Sequence, residues 1–242
     1  MAPIQVVAFD LDDTLIELSQ EFVPRYLALL TSYLAANLPG QNGLAAALEE
    51  ATQVLMAKPG GGERLDELFY REMRLRLQVE REGLEPLFRE FFESEFHRLQ
   101  ALSRPIYGAL GMLAQLKRAG YRLALLTSAL FPAYAIDQRL AWAGLEGVAW
   151  DWRTAFETVH ATKPQPDFYR EAAEALGIEP NSWLMVGNDL EEDIVPAYRA
   201  GMHVYWVHDR AVLPEEAARL PAGTPVDIVQ RVPRYLEAFP RG

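Results

Sequence analysis

The chain has no cysteine, which excludes disulfides, zinc–thiolate centres and thiol catalysis. Histidine is scarce too: His97, His160, His203 and His208 are the only four, and they show no metal-ligand spacing. They read as surface or packing residues. Positive charge is in deficit, with 23 Lys and Arg against 34 Asp and Glu, a net charge of −11. A surplus of that sign argues against a nucleic-acid backbone or an anionic membrane as the main partner. No apolar run approaches the roughly 20 residues that span a bilayer. The chain enters a strand without a basic segment and a long apolar stretch, so no signal peptide is expected. The expectation is a cytoplasmic protein, monomer or homodimer, with no nucleic-acid or membrane partner. The rest of the composition, 50% hydrophobic and 24% charged over 242 residues, suits a soluble globular protein of one large or two modest domains.

What is present is organised in three stretches. Residues 1–17 give one strand and an acidic turn. Residues from about 18 to 100 read as helices only: Glu21 to Asn37, Leu44 to Lys58, a third carrying Leu65, Phe69, Met73 and Leu77 on one face, and a fourth from Leu84 to Leu102. The pairs Glu67/Arg71, Glu72/Arg76 and Glu85/Arg89 lie four apart, as on solvated helix surfaces. From about residue 105 helices and strands alternate, the pattern of a parallel sheet. Strands are predicted at 121–128, near 148–152, at 183–189 and at 203–207, with a short edge strand at Val226–Val229. No internal repeat or low-complexity segment is found.

The richest segment is Val6-Val7-Ala8-Phe9-Asp10-Leu11-Asp12-Asp13-Thr14. A buried strand runs straight into three carboxylates and a hydroxyl. In an open parallel sheet ligands bind beyond the strands' C-terminal ends. Like charges crowded there repel unless a cation offsets them, and Mg²⁺ with a phosphoryl group would do so. Two later strands also end in useful groups: Thr127 and Ser128, then Asp189. Asp193 lies four residues on, one helical turn away, and can face the same point. Lys163 sits in the loop Thr162-Lys163-Pro164-Gln165-Pro166. Each group alone has a plain explanation as a turn, cap or solvated loop residue. Their joint placement at strand ends is the signal.

As a set they resemble the haloacid dehalogenase superfamily. Asp10-Leu11-Asp12-Asp13-Thr14 looks like its first motif and Leu125-Leu126-Thr127-Ser128 like its second. Lys163-Pro164 looks like the third, and Gly187-Asn188-Asp189 with Asp193 like the fourth. The departures are Asn188, where many relatives carry the metal acid directly after Gly, and Ser128, where Asn is frequent. The resemblance implies an α/β fold: a Rossmann-like parallel-sheet core in three α/β/α layers (1–17 and 101–242) with an inserted all-helical cap domain (18–100). It implies a Mg²⁺-dependent phosphatase acting on a small phosphorylated metabolite through an aspartyl-phosphate. Asp10 would be the nucleophile, Asp12 the general acid and base, and Lys163 the offsetting cation. Thr127, the Ser128 amide and Lys163 would hold the phosphoryl oxygens. Mg²⁺ would be bound by Asp10, the Asp12 carbonyl and Asp189, with Asp193 supporting Asp189 and Thr14 orienting Asp12. Asp13 would be a turn residue. An acid at position 12 argues against carbon–halogen cleavage, because halide leaves without a proton. A phosphosugar mutase and a non-catalytic binding protein on the same fold are the alternatives.

Two weaker features stay open. Lys58-Pro59-Gly60-Gly61-Gly62-Glu63-Arg64 follows a helix, not a strand, so it does not fit a phosphate-binding loop. It reads as a cap turn, or as a specificity loop in which Lys58 or Arg64 meets an anionic leaving group. Trp142, Trp150 and Trp152 read as core or interface residues.

Overall fold

A computed structural model describes residues 2–208, 220–225 and 227–240. Six strands form one parallel sheet: β1 (Val6–Phe9), β4 (Arg122–Leu125), β5 (Trp152–Arg153), β6 (Trp183–Gly187), β7 (His203–Val207) and β8 (Ala222–Gly223). Their spatial order is β5-β4-β1-β6-β7-β8. Every residue of β1 and β6 is buried. That explains their unbroken apolar runs, since a strand covered on both faces has no polar side to show. The first strand is central, and the chain reaches β4 on one side of it and β6 on the other. Its C-terminal end is thus the point where strand order reverses, where such sheets leave a crevice. The register puts Phe9 opposite both Leu125 and Val186. Asp10, Thr127 and Gly187 therefore leave the sheet at nearly one level.

Helices α5 (Ala109–Arg118), α6 (Ala133–Trp142), α7 (Pro166–Leu176), α8 (Val195–Arg199) and α9 (Ile228–Leu236) connect and flank these strands. Between β1 and β4 the chain departs through β2 (Ile16–Leu18) and returns through β3 (Ser103–Pro105), which pair antiparallel. The departing segment holds α1 (Phe22–Asn37), α2 (Leu44–Ala57), α3 (Leu65–Leu77) and α4 (Arg81–Ser94), then a 3₁₀ turn, Phe96–Leu102. Aromatic edges fasten it to the sheet layer. Phe96 lies 5.0 Å from Trp142, and Tyr26 lies 5.1 Å from Phe131. Among the described residues no helix is long and apolar enough to cross a membrane.

Two expectations change. The fourth helix does not run to Leu102 but gives way to the 3₁₀ turn. The edge strand expected at Val226–Val229 is not formed. Val226 lies outside the described residues, and Ile228 opens α9, whose buried Ile228, Val232 and Leu236 repeat every four residues. A four-residue window is too short to show that period. The sheet edge is β8 instead.

The Gly-rich turn after α2 is docked on the sheet layer. Lys58 Nζ donates to the carbonyls of Pro59, Gly61 and His160, the last at 2.7 Å. The Gly60 amide donates to Asp167 at 3.1 Å, and a Cβ there would lie 2.6 Å from Asp167 Cβ. Arg64 pairs with Asp66 and Glu67. Both cations thus fasten the turn: Lys58 to backbone carbonyls and Arg64 to acids of α3.

Candidate active site

Asp10 continues the β1 ladder by donating its amide to Val186 O at 2.9 Å, which fixes its carboxylate in the crevice. Lys163 Nζ donates to Asp10 Oδ1 at 2.5 Å and lies 2.5 Å from Asp193 Oδ1. All three side chains are buried, with exposures of 2% for Lys163, 7% for Asp10 and 2% for Asp193. Lys163 thus stands between the two carboxylates, ion-paired to each.

The loops explain how the chain brings these groups together. The Ala129 amide donates to the Thr162 hydroxyl at 3.0 Å, and Thr154 Oγ1 donates to Thr127 O at 2.8 Å. The turn after β4 is thereby tied to the Lys163 loop. Gly187 is required by contact rather than by φ: a Cβ there would lie 2.6 Å from Asp193 Cβ. Its absence lets Asp193 fold back over the strand end, where Asp193 Oδ2 accepts from the Asp189 amide at 3.0 Å.

Burial dominates the electrostatics. It raises Asp10 above the ordinary carboxylate range, with Lys163 opposing. It pushes Asp193 up to about 6, with Lys163 opposing and Asp10 adding repulsion. Burial pulls Lys163 down, but attraction to Asp10 and Asp193 prevails and holds it above its usual value. The three directions agree physically: one cation serves two desolvated anions, so it is over-satisfied and they are under-satisfied.

Asp12 is held differently from expectation. Its Oδ1 accepts a hydrogen bond from Arg139 Nη2 on α6. Arg139 is 1% exposed, while the Asp12 side chain is 39% exposed. The guanidinium lies over Phe131 at 5.2 Å and Phe22 at 5.4 Å. Burial draws Arg139 down to about 10, with Asp10 opposing. Thr14 makes no such contact: its hydroxyl is buried without a hydrogen-bond partner. The side chain that contacts the Asp12 carboxylate is thus Arg139, reaching across from α6, and not Thr14. Asp13 is the turn residue expected, with φ of 52° and Oδ1 accepting from the Leu18 amide at 2.8 Å.

Asp189 and Asp193 also part company. Leu190–Ile194 form a π-helical turn, in which the amides of Asp193 and Ile194 both reach Asp189 O. The two carboxylates take different partners, although Asp193 Oδ2 still accepts from the Asp189 amide. Asp189 is exposed, and its Oδ1 accepts from the Glu191 and Glu192 amides at 2.8 Å each. Asp193 takes the inner position. Ser128 Oγ stands 3.5 Å from Glu192 Oε2, and burial raises Glu192 above its ordinary value.

Sequence reasoning missed Arg139 and Glu192. Arg139 carried a readable signal, a charge on the face of α6 that also buries Ala135, Ile136 and Leu140. Glu192 was hidden in an acidic run that reads equally well as solvated surface.

The donor set suits a hard cation. Mg²⁺ needs only one or two carboxylates beside waters and phosphate oxygens. Asp10 Oδ1 and Asp193 Oδ1 each lie 2.5 Å from Lys163 Nζ, which sets two carboxylates side by side at the strand ends. No cluster of three acidic or histidine ligands is found among the described residues. Asp189 uses Oδ1 alone for its two amides, so its other oxygen could join Asp10 and Asp193.

Comparison with known proteins follows this geometry. A family described as haloacid dehalogenase-like hydrolase matches residues 4–201. Over 234 residues the chain is 27% identical to the N-acetylmuramic acid 6-phosphate phosphatase of Pseudomonas aeruginosa, covering 96% of this chain and 93% of that one. It is 28% identical over 211 residues to the glyceraldehyde 3-phosphate phosphatase of Methanothermobacter thermautotrophicus, covering 85% and 86%. A HAD phosphatase from Thermococcus onnurineus shares the fold with a TM-score of 0.59 at 20% identity, over 99% of this chain and 100% of that one. The chain belongs to the haloacid dehalogenase-like hydrolase family, and the curated relatives it resembles are phosphatases.

Proposed function

We propose that this protein is a phosphomonoester hydrolase that cleaves a small phosphorylated metabolite through an aspartyl-phosphate. The observation that carries the reading is the buried Asp10–Lys163–Asp193 cluster at the strand-order reversal. A carboxylate there is fixed by the sheet and shielded from water, and a cation beside it offsets charge.

Asp10 attacks phosphorus, and the bond from phosphorus to the leaving oxygen breaks. Asp12 supplies the proton that the leaving alkoxide takes up. Asp12, now a carboxylate, takes a proton from water, which attacks the acyl-phosphate and restores Asp10 with release of phosphate. Such proton transfers contribute about 10²–10⁴-fold. Arg139 holds the Asp12 carboxyl beside the crevice for both halves. Lys163, Thr127 and the Ser128 amide face the phosphoryl oxygens. Asp10, Asp193 and the Asp12 carbonyl would hold Mg²⁺, with Asp189 beside them as a further ligand. Mg²⁺ offsets phosphoryl charge when bound. The helical insertion acts as the cap domain (18–100) over the core (1–17 and 101–242), which limits the site to small substrates.

The test is Mg²⁺-dependent phosphate release from a panel of phosphorylated metabolites, with Asp10→Asn run beside it. Release that requires Mg²⁺ and disappears in the variant is expected. Release that survives Asp10→Asn removes Asp10 as nucleophile.

A further inference from the structure

A cavity of about 460 Å³ lies between the helical insertion and the sheet layer. Its walls are apolar and largely aromatic: Leu30, Leu48, Phe69 and Phe88 from the helices, Phe131 and Phe156 from the sheet layer. Its position relative to the catalytic groups is fixed by a chain of contacts. Asp12 bonds to Arg139, Arg139 lies on Phe131, and Phe131 forms the cavity wall with Tyr26 packed on it at 5.1 Å. In the proposed reaction Asp12 serves the leaving oxygen, and these contacts put the cavity on the Arg139 side of it.

The charged groups on the wall are already partnered. Asp66 accepts from Arg64 and Arg81, and Arg81 also pairs with Glu85 and stacks on Tyr70. Arg89 lies over Tyr134, Glu157 accepts from the Ala133 amide, and Thr52 donates to Leu48 O. Tyr26, Tyr70, Tyr134, Thr31, Gln53 and Glu49 also line it, but most of its wall is hydrocarbon, so a polyol would leave hydroxyls without partners, and unmet hydrogen bonds discriminate strongly. A ring without hydroxyls would meet aromatic faces on several sides. At the mouth Val23 and Leu27 on α1 are 57% and 40% exposed, an apolar approach that a charged entrance would not need.

We propose that this cavity receives the leaving group and that the preferred leaving group is an apolar, ring-bearing alcohol rather than a polyol. The inference rests on the phosphatase reading and goes beyond it by naming a substrate class.

The experiment compares cyclohexylmethyl phosphate with glucose 6-phosphate. Both are primary esters on a six-membered ring, so intrinsic reactivity is similar, and the sugar differs by its hydroxyls and ring oxygen. Acetyl phosphate reports on the catalytic groups with almost no leaving group to accommodate. Expected is a kcat/KM at least about tenfold higher for the cyclohexylmethyl ester than for the sugar ester. Leu27→Glu, at a half-exposed position that tolerates change, should lower the cyclohexylmethyl-to-acetyl ratio by about tenfold. Cyclohexylmethanol should inhibit acetyl phosphate hydrolysis competitively. Hydrolysis of acetyl phosphate with equal or better use of the sugar ester, or no inhibition by the alcohol, overturns the proposal and leaves the phosphatase reading intact. No Asp10-dependent release from any of the three overturns both.

Discussion

Replacing Lys163 by methionine removes the cation that stands between Asp10 and Asp193. Methionine fills a similar volume, so the perturbation is chiefly one of charge. Two carboxylates, 7% and 2% exposed, are then left buried without their cation. Breaking a buried ion pair by removing one partner costs about 3–5 kcal/mol. For a chain of this size that is a fall in Tm of roughly 6–20 °C. The cost depends on pH in a defined direction. Asp10 and Asp193 are raised in the folded state already, Asp193 to about 6, and losing Lys163 raises them further. An acid whose folded value exceeds its unfolded value carries no penalty while both states are protonated. The penalty grows as pH rises through the unfolded value and is complete above the folded one. The deficit of Lys163→Met against the parent should therefore be larger at pH 8 than at pH 5. Urea unfolding followed by the fluorescence of the buried Trp183 and Trp206 measures it. Adding Asp193→Asn to Lys163→Met should recover part of the loss, a coupling of about 1–3 kcal/mol. A midpoint equal to the parent's at pH 8, or a deficit that does not vary between the two pH values, refutes the reasoning.

Gly187→Ala forces a Cβ to within 2.6 Å of Asp193 Cβ, so Asp193 must leave the strand end. Overpacking of this kind costs about 1–3 kcal/mol; the urea midpoint should fall by that amount and phosphate release should fall with it, whereas retention of both shows that Asp193 can move without consequence. Arg139→Met removes a buried cation whose partner, Asp12, is 39% exposed and can be hydrated instead. Stability should change by less than about 1 kcal/mol, because burying the guanidinium is itself costly, while kcat falls about tenfold or more as Asp12 loses its orientation. A large loss of stability with unchanged kcat would make Arg139 a packing residue only.

Most of the sheet and much of the site are legible in the sequence because both rest on local patterns. Buried strands show as apolar runs, and Asp10, Thr127 and Gly187 follow those runs directly. Asp193 is also named by the sequence, but its role depends on the phase of the turn between 189 and 193. A spacing of four predicts a shared face only in an α-helix. The π-helical turn at Leu190–Ile194 adds a residue to the hydrogen-bonded ring and sends Asp189 outward to its own loop amides. Nothing in a single sequence announces that choice. The Arg139–Asp12 pair joins residues 127 apart in the chain, and Phe22 and Phe131 come to Arg139 from opposite sides of the insertion. Such pairing is a product of topology, and composition shows only that an arginine sits on an apolar helix face. The α9 segment was misread for the opposite reason, a period longer than the window of residues considered.

The charges of the site, taken together, bear on the proposed Mg²⁺. Lys163 and Arg139 face four carboxylates: Asp10, Asp12, Asp193 and the half-buried Glu192. The crevice is thus anionic before any phosphate enters, and a phosphate dianion would add to that excess where burial already strains Asp10 and Asp193. Protonating the carboxylates would relieve the strain but would also disarm Asp10 as a nucleophile. A divalent cation on Asp10 and Asp193 relieves it while keeping Asp10 ionised, since it favours the charged form of each ligand. The raised carboxylates and the raised lysine are then one fact seen from three residues: the fold sets two positive charges, Lys163 and Arg139, against four carboxylates.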